Sequence, residues 1–179
     1  MSLTEPDIGR LLTAIEFAAR KHRDQRRKDP GASPYINHPL ALAHVLWHEG
    51  EVRDADVLIA AILHDTIEDT ETTYQELRGL FGATVADIVL EVTDTKWLQK
   101  ASRKRLQIAK AAHSTTAARL VKIADKICNL RDIVASAPAG WTLERQREYF
   151  EWARCVVDQL RGTNLKLERR FDQLYAKRP

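Results

Sequence analysis

Six side chains in this sequence have the types and the spacing for chemistry: His38, His64, Asp65, Glu68, Asp69 and Asp125. His64 and Glu68 are four residues apart, as are Asp65 and Asp69, so on a helix each pair shares a face. His64 and Asp65 lie ~100° apart around a helix, so both can turn toward one point off its edge. Asp125 interrupts the apolar stretch Leu120 to Leu130. A buried carboxylate without a partner is costly and calls for a cation or a metal. Taken singly, each residue has a plain structural reading. A histidine on an apolar helix is usually a satisfied core residue, and an aspartate at a helix end is usually a cap. The run Glu68-Asp69-Thr70-Glu71 could be a solvated last turn, although carboxylates there oppose the helix dipole. Lys126 could pair with Asp125, but adjacent helical residues do not face one another. Together, two histidines and two aspartates beside a Glu-Asp pair favour a metal site.

Two imidazoles and two carboxylates leave coordination positions for water. Neither cysteine, Cys128 or Cys155, is placed to help, so a structural zinc site is not expected. Mn²⁺ fits the mixed nitrogen and oxygen set best, with Fe²⁺, Co²⁺, Zn²⁺ and Mg²⁺ also compatible. Such a site lowers the pKa of water and polarises a phosphoryl oxygen. Glu68 and Asp69 would orient or deprotonate that water. Lys and Arg would hold the phosphates. Two runs supply them: six between Arg20 and Lys28 against one Asp24, and eight between Thr95 and Ala124 with no acidic residue. Each run reads either as a solvated face or as an electropositive surface for phosphate. The residues themselves therefore point to metal-dependent hydrolysis of a phosphate ester or anhydride.

The elements that must position these residues read as helices almost throughout. The spacing predicts a helix over 6–22 capped by Thr4, a loop over 24–34, and a second helix near Pro39 capped by Asn37. A third runs from Asp54 to about Thr70. A short fourth starts at a Thr73/Glu76 capping box and stops at Gly82. A fifth carries Val85 to Val92, and 94–101 reads as a loop. Helices over 102–112, 116–133, 142–161 and 164–177 follow. The expected fold is all-α, a compact helical globule of about nine helices in one domain over 1–179. The apolar spacing holds no heptad, which excludes a coiled coil.

Composition sets outer bounds. The 179 residues are 44% apolar and 30% charged, with a net charge of +3, which excludes a disordered chain. No apolar run approaches the ~20 residues of a membrane span. The start, Met1 to Asp7, is acidic and lacks the apolar core of a secretory leader. Two cysteines make a disulfide framework implausible, so both are read as thiols of a reducing cytoplasm.

Longer strings are more specific: Tyr35-Ile36-Asn37-His38-Pro39, Leu63-His64-Asp65-Thr66-Ile67-Glu68-Asp69-Thr70, and Lys122-Ile123-Ala124-Asp125-Lys126-Ile127-Cys128-Asn129-Leu130. They resemble the HD-domain phosphohydrolases, in particular the hydrolase domain of the RelA/SpoT group, which degrades ppGpp and pppGpp. Arg26-Arg27-Lys28-Asp29-Pro30 and Glu148-Tyr149-Phe150-Glu151-Trp152 resemble the stand-alone small alarmone hydrolases, including the metazoan type. The Asp29 to Tyr35 segment differs from the string preceding the histidine in long bifunctional enzymes. With the end at Pro179, the resemblance implies a hydrolase without a synthetase.

It further implies one Mn²⁺ held by His38, His64, Asp65 and Asp125, and a catalytic pair Glu68 and Asp69. Arg27 and Lys28 match positions that pack on the guanine base and contact substrate. Tyr35, Asn129 and Tyr149 match pocket residues around the nucleoside, and Lys100, Trp141 and Arg145 positions near the phosphates or the pocket rim. The implied reaction removes the 3′-pyrophosphate, giving GDP or GTP plus pyrophosphate. A second reading keeps the chemistry but takes another phosphorylated nucleotide or a dinucleotide cofactor. A nucleic-acid-binding module is disfavoured, because no reader motif accompanies the basic runs. The expected partner is a small nucleotide, with neither nucleic acid nor membrane, in the cytoplasm.

Overall fold

The computed structural model describes residues 3–179; Met1 and Ser2, the first residues of the segment read as lacking a leader, lie outside them. Nine helices of eight or more residues and one single-turn helix make up the fold, and the described residues hold no strand, only an isolated bridge between Arg26 and Pro34. The helices are α1 (Glu5–Lys21), α2 (Asn37–His44), α3 (Ala55–Leu63), α4 (Thr66–Asp69), α5 (Tyr74–Phe81), α6 (Ala83–Val92), α7 (Lys100–Ala111), α8 (Thr116–Ala135), α9 (Leu143–Asp158) and α10 (Leu165–Tyr175). The all-α expectation holds.

Helix α3 is the axis of the molecule. It is apolar all round, with Val57 to Leu63 buried, and it packs against α1, α2, α6 and α8. A helix with no polar face must be enclosed. Helix α8 is the second central element, touching α2, α3, α6, α9 and α10. The buried apolar residues of these helices form one continuous cluster from Ala14 to Leu174.

Caps set most boundaries as the sequence reads. Thr4 and Asp7 close a full capping box on α1, and Asp54, Thr115, Thr142 and Asn164 each accept backbone N–H groups of the helix they start. At Thr73 only half of the expected box forms: its hydroxyl accepts from Glu76 N–H. Gly82, at φ +89°, ends α5 in a conformation that favours glycine.

Two expectations fail at the elements that carry the site. Asn37 does not cap α2. It is already the first helical residue, and the preceding turn satisfies the free donors, with Asn37 N–H on Pro34 C=O and His38 N–H on Tyr35 C=O. The third helix is not continuous either: α3 stops at Leu63 and α4 begins at Thr66. The buried Thr66 hydroxyl donates to the Leu63 carbonyl at 2.7 Å, giving that acceptor a side-chain donor in place of the helix ladder. The His64-Asp65 doublet is the joint between the two pieces. Past His44, α2 also ends irregularly, through a π-helical turn at Val45–Glu49.

Candidate active site

The joint after α3, the start of α2 and the middle of α8 meet around a chamber of about 220 Å³. His38, His64, Asp65, Glu68, Asp69 and Asp125 all line it. Ligand atoms of His38, His64 and Asp65 lie within 4.8 Å of one another. Asp125 joins them through His38, whose Nε2 is 3.2 Å from Asp125 Oδ1, but it stands outside the mutual group of three.

The His64 imidazole is set from behind. His64 Nδ1 donates to the Ala61 carbonyl at 2.8 Å, which fixes the tautomer and aims Nε2 into the chamber. His64 Nε2 is 2.8 Å from Asp65 Oδ2 yet makes no hydrogen bond of acceptable geometry, and buried His38 Nδ1 also has no partner. A buried nitrogen such as His64 Nε2, close to a carboxylate without bonding it, suits convergence on a shared cation. Nitrogen and oxygen donors of this kind fit a divalent transition ion.

Charge tells the same story. Burial would push the Asp65 carboxyl up, but His64 beside it offsets this and holds it far below the usual carboxylate range. Burial opposes protonation of His64, yet the Asp65 carboxylate, aided by Asp125, raises it to about 9. Asp125 is likewise held down against burial, by Lys126 and then His38. His38, fully desolvated, is lowered. The anionic pocket thus calls for a positive charge.

Lys126 corrects one sequence expectation. Adjacent helical side chains diverge, but the long lysine stem bends back and Nζ donates to Asp125 Oδ2 at 2.8 Å, steadied 4.4 Å over the Trp152 ring. Asn129 donates to the other Asp125 oxygen at 2.6 Å. Asp125 therefore has both a cation partner and a place at the chamber.

Glu68 and Asp69 sit on α4, turned to the chamber by the joint. Burial first, then the carboxylates around it, raise Glu68 to about 6, although the Asp94 N–H it accepts at 3.0 Å works against this. Asp69 receives Lys96 Nζ at 2.5 Å. The loop after α6 thus holds both acids, a contact between residues 26 and 27 positions apart that no local pattern reveals.

The residues expected to hold substrate divide between two larger cavities that share walls with the chamber. One, of about 530 Å³, is lined by Arg27, Lys28, Tyr35, Asn129, Trp141 and Tyr149. The other, of about 450 Å³, takes Lys28, Lys100, Trp141, Arg145 and Tyr149. Arg27 is pinned, donating to Asp132 at 2.6 Å and lying over the Tyr35 ring. Tyr35 also donates to the Asp65 carboxylate, so it buttresses the joint as well as lining a pocket. Arg145 stacks on Trp141 at 4.5 Å. Of the first basic run Arg26, Arg27 and Lys28 reach these cavities; Lys21, for example, is tied to Glu71 and Glu76. The sequence reading missed Arg103, Lys104 and Gln107 as cavity residues on α7, and Lys122 and Lys126 on α8. The last two share a helix face with Asp125 and Asn129, a signal that helical spacing carries.

Comparison with known proteins places this arrangement. Residues 14–150 match the family described as HD domain. Guanosine-3′,5′-bis(diphosphate) 3′-pyrophosphohydrolase MESH1 of Danio rerio is 55% identical over 168 residues, covering 94% of this chain and 93% of that protein. The Homo sapiens protein of the same name is 54% identical over 172 residues, 96% of each chain. A solved structure described as a metazoan ortholog of SpoT that hydrolyzes ppGpp superposes with a TM-score of 0.93 at 46% identity, covering 99% of this chain and 98% of that one.

Proposed function

This chain belongs to the HD-domain family, and on that footing we propose that it hydrolyses the 3′-pyrophosphate of ppGpp and pppGpp, releasing GDP or GTP and pyrophosphate. The convergence of His38, His64 and Asp65 beside Glu68 and Asp69 carries the reading. The names of relatives more than half identical over nearly the whole chain supply the substrate. Residues 1–179 are read as one HD phosphohydrolase domain, a reading that the continuous core supports.

His38, His64, Asp65 and Asp125 would hold one Mn²⁺, which when bound supplies Lewis acidity toward a phosphoryl oxygen. Glu68, raised toward neutrality, accepts a proton from the attacking water while Asp69 orients it. The 3′-oxygen–phosphorus bond breaks; the water's hydroxyl goes to phosphorus and a proton to the ribose oxygen. Arg27, Tyr35, Asn129 and Tyr149 enclose the nucleoside. Lys28, Lys100 and Arg145 face the remaining phosphates, with Trp141 at the rim shared by both larger cavities. Among the described residues no helix is long and apolar enough to cross a membrane. The free thiols of Cys128 and Cys155 support a cytoplasmic location.

The test is incubation of the metal-stripped protein with ppGpp, with and without Mn²⁺, and separation of the products by ion exchange. Mn²⁺-dependent GDP and pyrophosphate are expected. Faster turnover of another phosphorylated nucleotide or dinucleotide cofactor, compared by kcat/KM, would move the assignment to that substrate.

A further inference from the structure

Lys122 lines the same chamber as His64, Glu68 and Asp125, yet neither the resemblance nor the mechanism above uses it. The other cations there are engaged: Arg27 with Asp132, and Lys126 with Asp125. Lys122 has no ion-pair or hydrogen-bond partner among the described residues. Asp94 and Asp125 are its acidic neighbours in the chamber, and neither closes to an ion pair with it. It stands one helical turn before Asp125 on α8, on the face that also carries Lys126 and Asn129. Burial, and then the Lys126 ammonium, make its charge harder to hold. An ammonium that faces the half-enclosed chamber without a partner is free to take up an anion that enters it.

We propose that Lys122 is a further catalytic residue, whose ammonium binds a non-bridging oxygen of the phosphoryl group undergoing hydrolysis and stabilises the charge that builds there. The proposal rests on the reading of the chamber as the site of phosphate-ester hydrolysis. Lys122 forms and breaks no covalent bond. Its role is that of a donor aimed at developing charge.

The experiment compares wild type with Lys122→Met and Lys122→Arg, each loaded with Mn²⁺. For Lys122→Met, kcat/KM on ppGpp falls by about 10²-fold, the larger part in kcat. Calorimetric affinity for inorganic pyrophosphate falls by about fivefold, and Lys122→Arg recovers part of both losses. Thermal unfolding of metal-free Lys122→Met stays close to the wild-type temperature, because no ion pair or hydrogen bond is lost. Lys122→Gln gives the same comparisons if the methionine variant folds poorly. A kcat/KM within threefold of wild type, or an unchanged pyrophosphate affinity, overturns the proposal. If wild type leaves ppGpp intact, the substrate assignment fails, while the pyrophosphate titration still decides the role of Lys122.

Discussion

At Glu68 two environments compete. Burial pushes its carboxyl up to about 6 while the Asp94 N–H favours the charged form. As the proposed base it would work only when ionised, so kcat/KM should climb with pH along an acid limb and level above it. A divalent ion beside Asp65 would pull the value down in the loaded enzyme. A limb centred above pH 7 in the pH–rate profile would exclude Glu68 as the base. The same shift has a stability consequence. A folded pKa above the unfolded one means that the native state binds more protons between about 4.5 and 6, so stability is lost as pH rises through that window. Glu68→Gln should therefore lower kcat by about 10²–10⁴-fold. At pH 8, without metal, it should unfold about 2–4 °C higher than wild type, corresponding to about 1 kcal/mol after allowance for solvent screening. That gap closes as the pH is taken below 4.5, where the wild-type carboxyl is protonated in both states. Calorimetric scans across pH 4 to 8 check the sign directly.

Among the elements, the break between α3 and α4 sets the position of both acids. Thr66 carries it: its hydroxyl donates to Leu63 C=O, and its own carbonyl accepts the Thr70 hydroxyl at 2.7 Å. Thr66→Val keeps the shape but leaves the Leu63 carbonyl short of a donor, so a loss of about 1–3 kcal/mol follows. Because Glu68 and Asp69 move with α4, kcat should fall as well. Chemical denaturation and steady-state kinetics on one preparation test both at once; a loss of stability with full activity would show that the joint does not place the acids. Asn164 gives the contrasting case. It caps α10 through Lys166 N–H and Leu167 N–H, and its amide donates to Gly50 C=O at 2.9 Å. It lines none of the three cavities. Asn164→Ala should cost about 1–2 kcal/mol and leave kcat/KM unchanged.

For the whole molecule, chelation and salt are the levers. A metal bound only by the folded state stabilises it by mass action, about 2.7 kcal/mol at a hundredfold excess over Kd, so EDTA should lower Tm and Mn²⁺ restore it. Unchanged melting with and without Mn²⁺ would argue against the four-residue site. The cavity cations Lys28, Lys100, Lys104 and Arg145 attract a polyanion over a Debye length of ~8–10 Å, so kcat/KM for ppGpp should fall with ionic strength. The sequence by itself determined most of the helices, the cap at Thr4, the helix starts near Asp54 and Asn164, and six residues that line the chamber, because hydrophobic period, capping chemistry and the spacing of His64, Asp65, Glu68 and Asp69 are local properties. It read straight through the break at His64-Asp65 as one helix, because that break depends on a hydroxyl choosing a carbonyl and on Tyr35 reaching Asp65 from 30 residues away. It also left open which cations serve the site. Lys21, Arg27, Lys126 and Lys122 look alike along the chain, and only the packing of helices from distant segments decided which are neutralised by an acid and which faces the chamber without one.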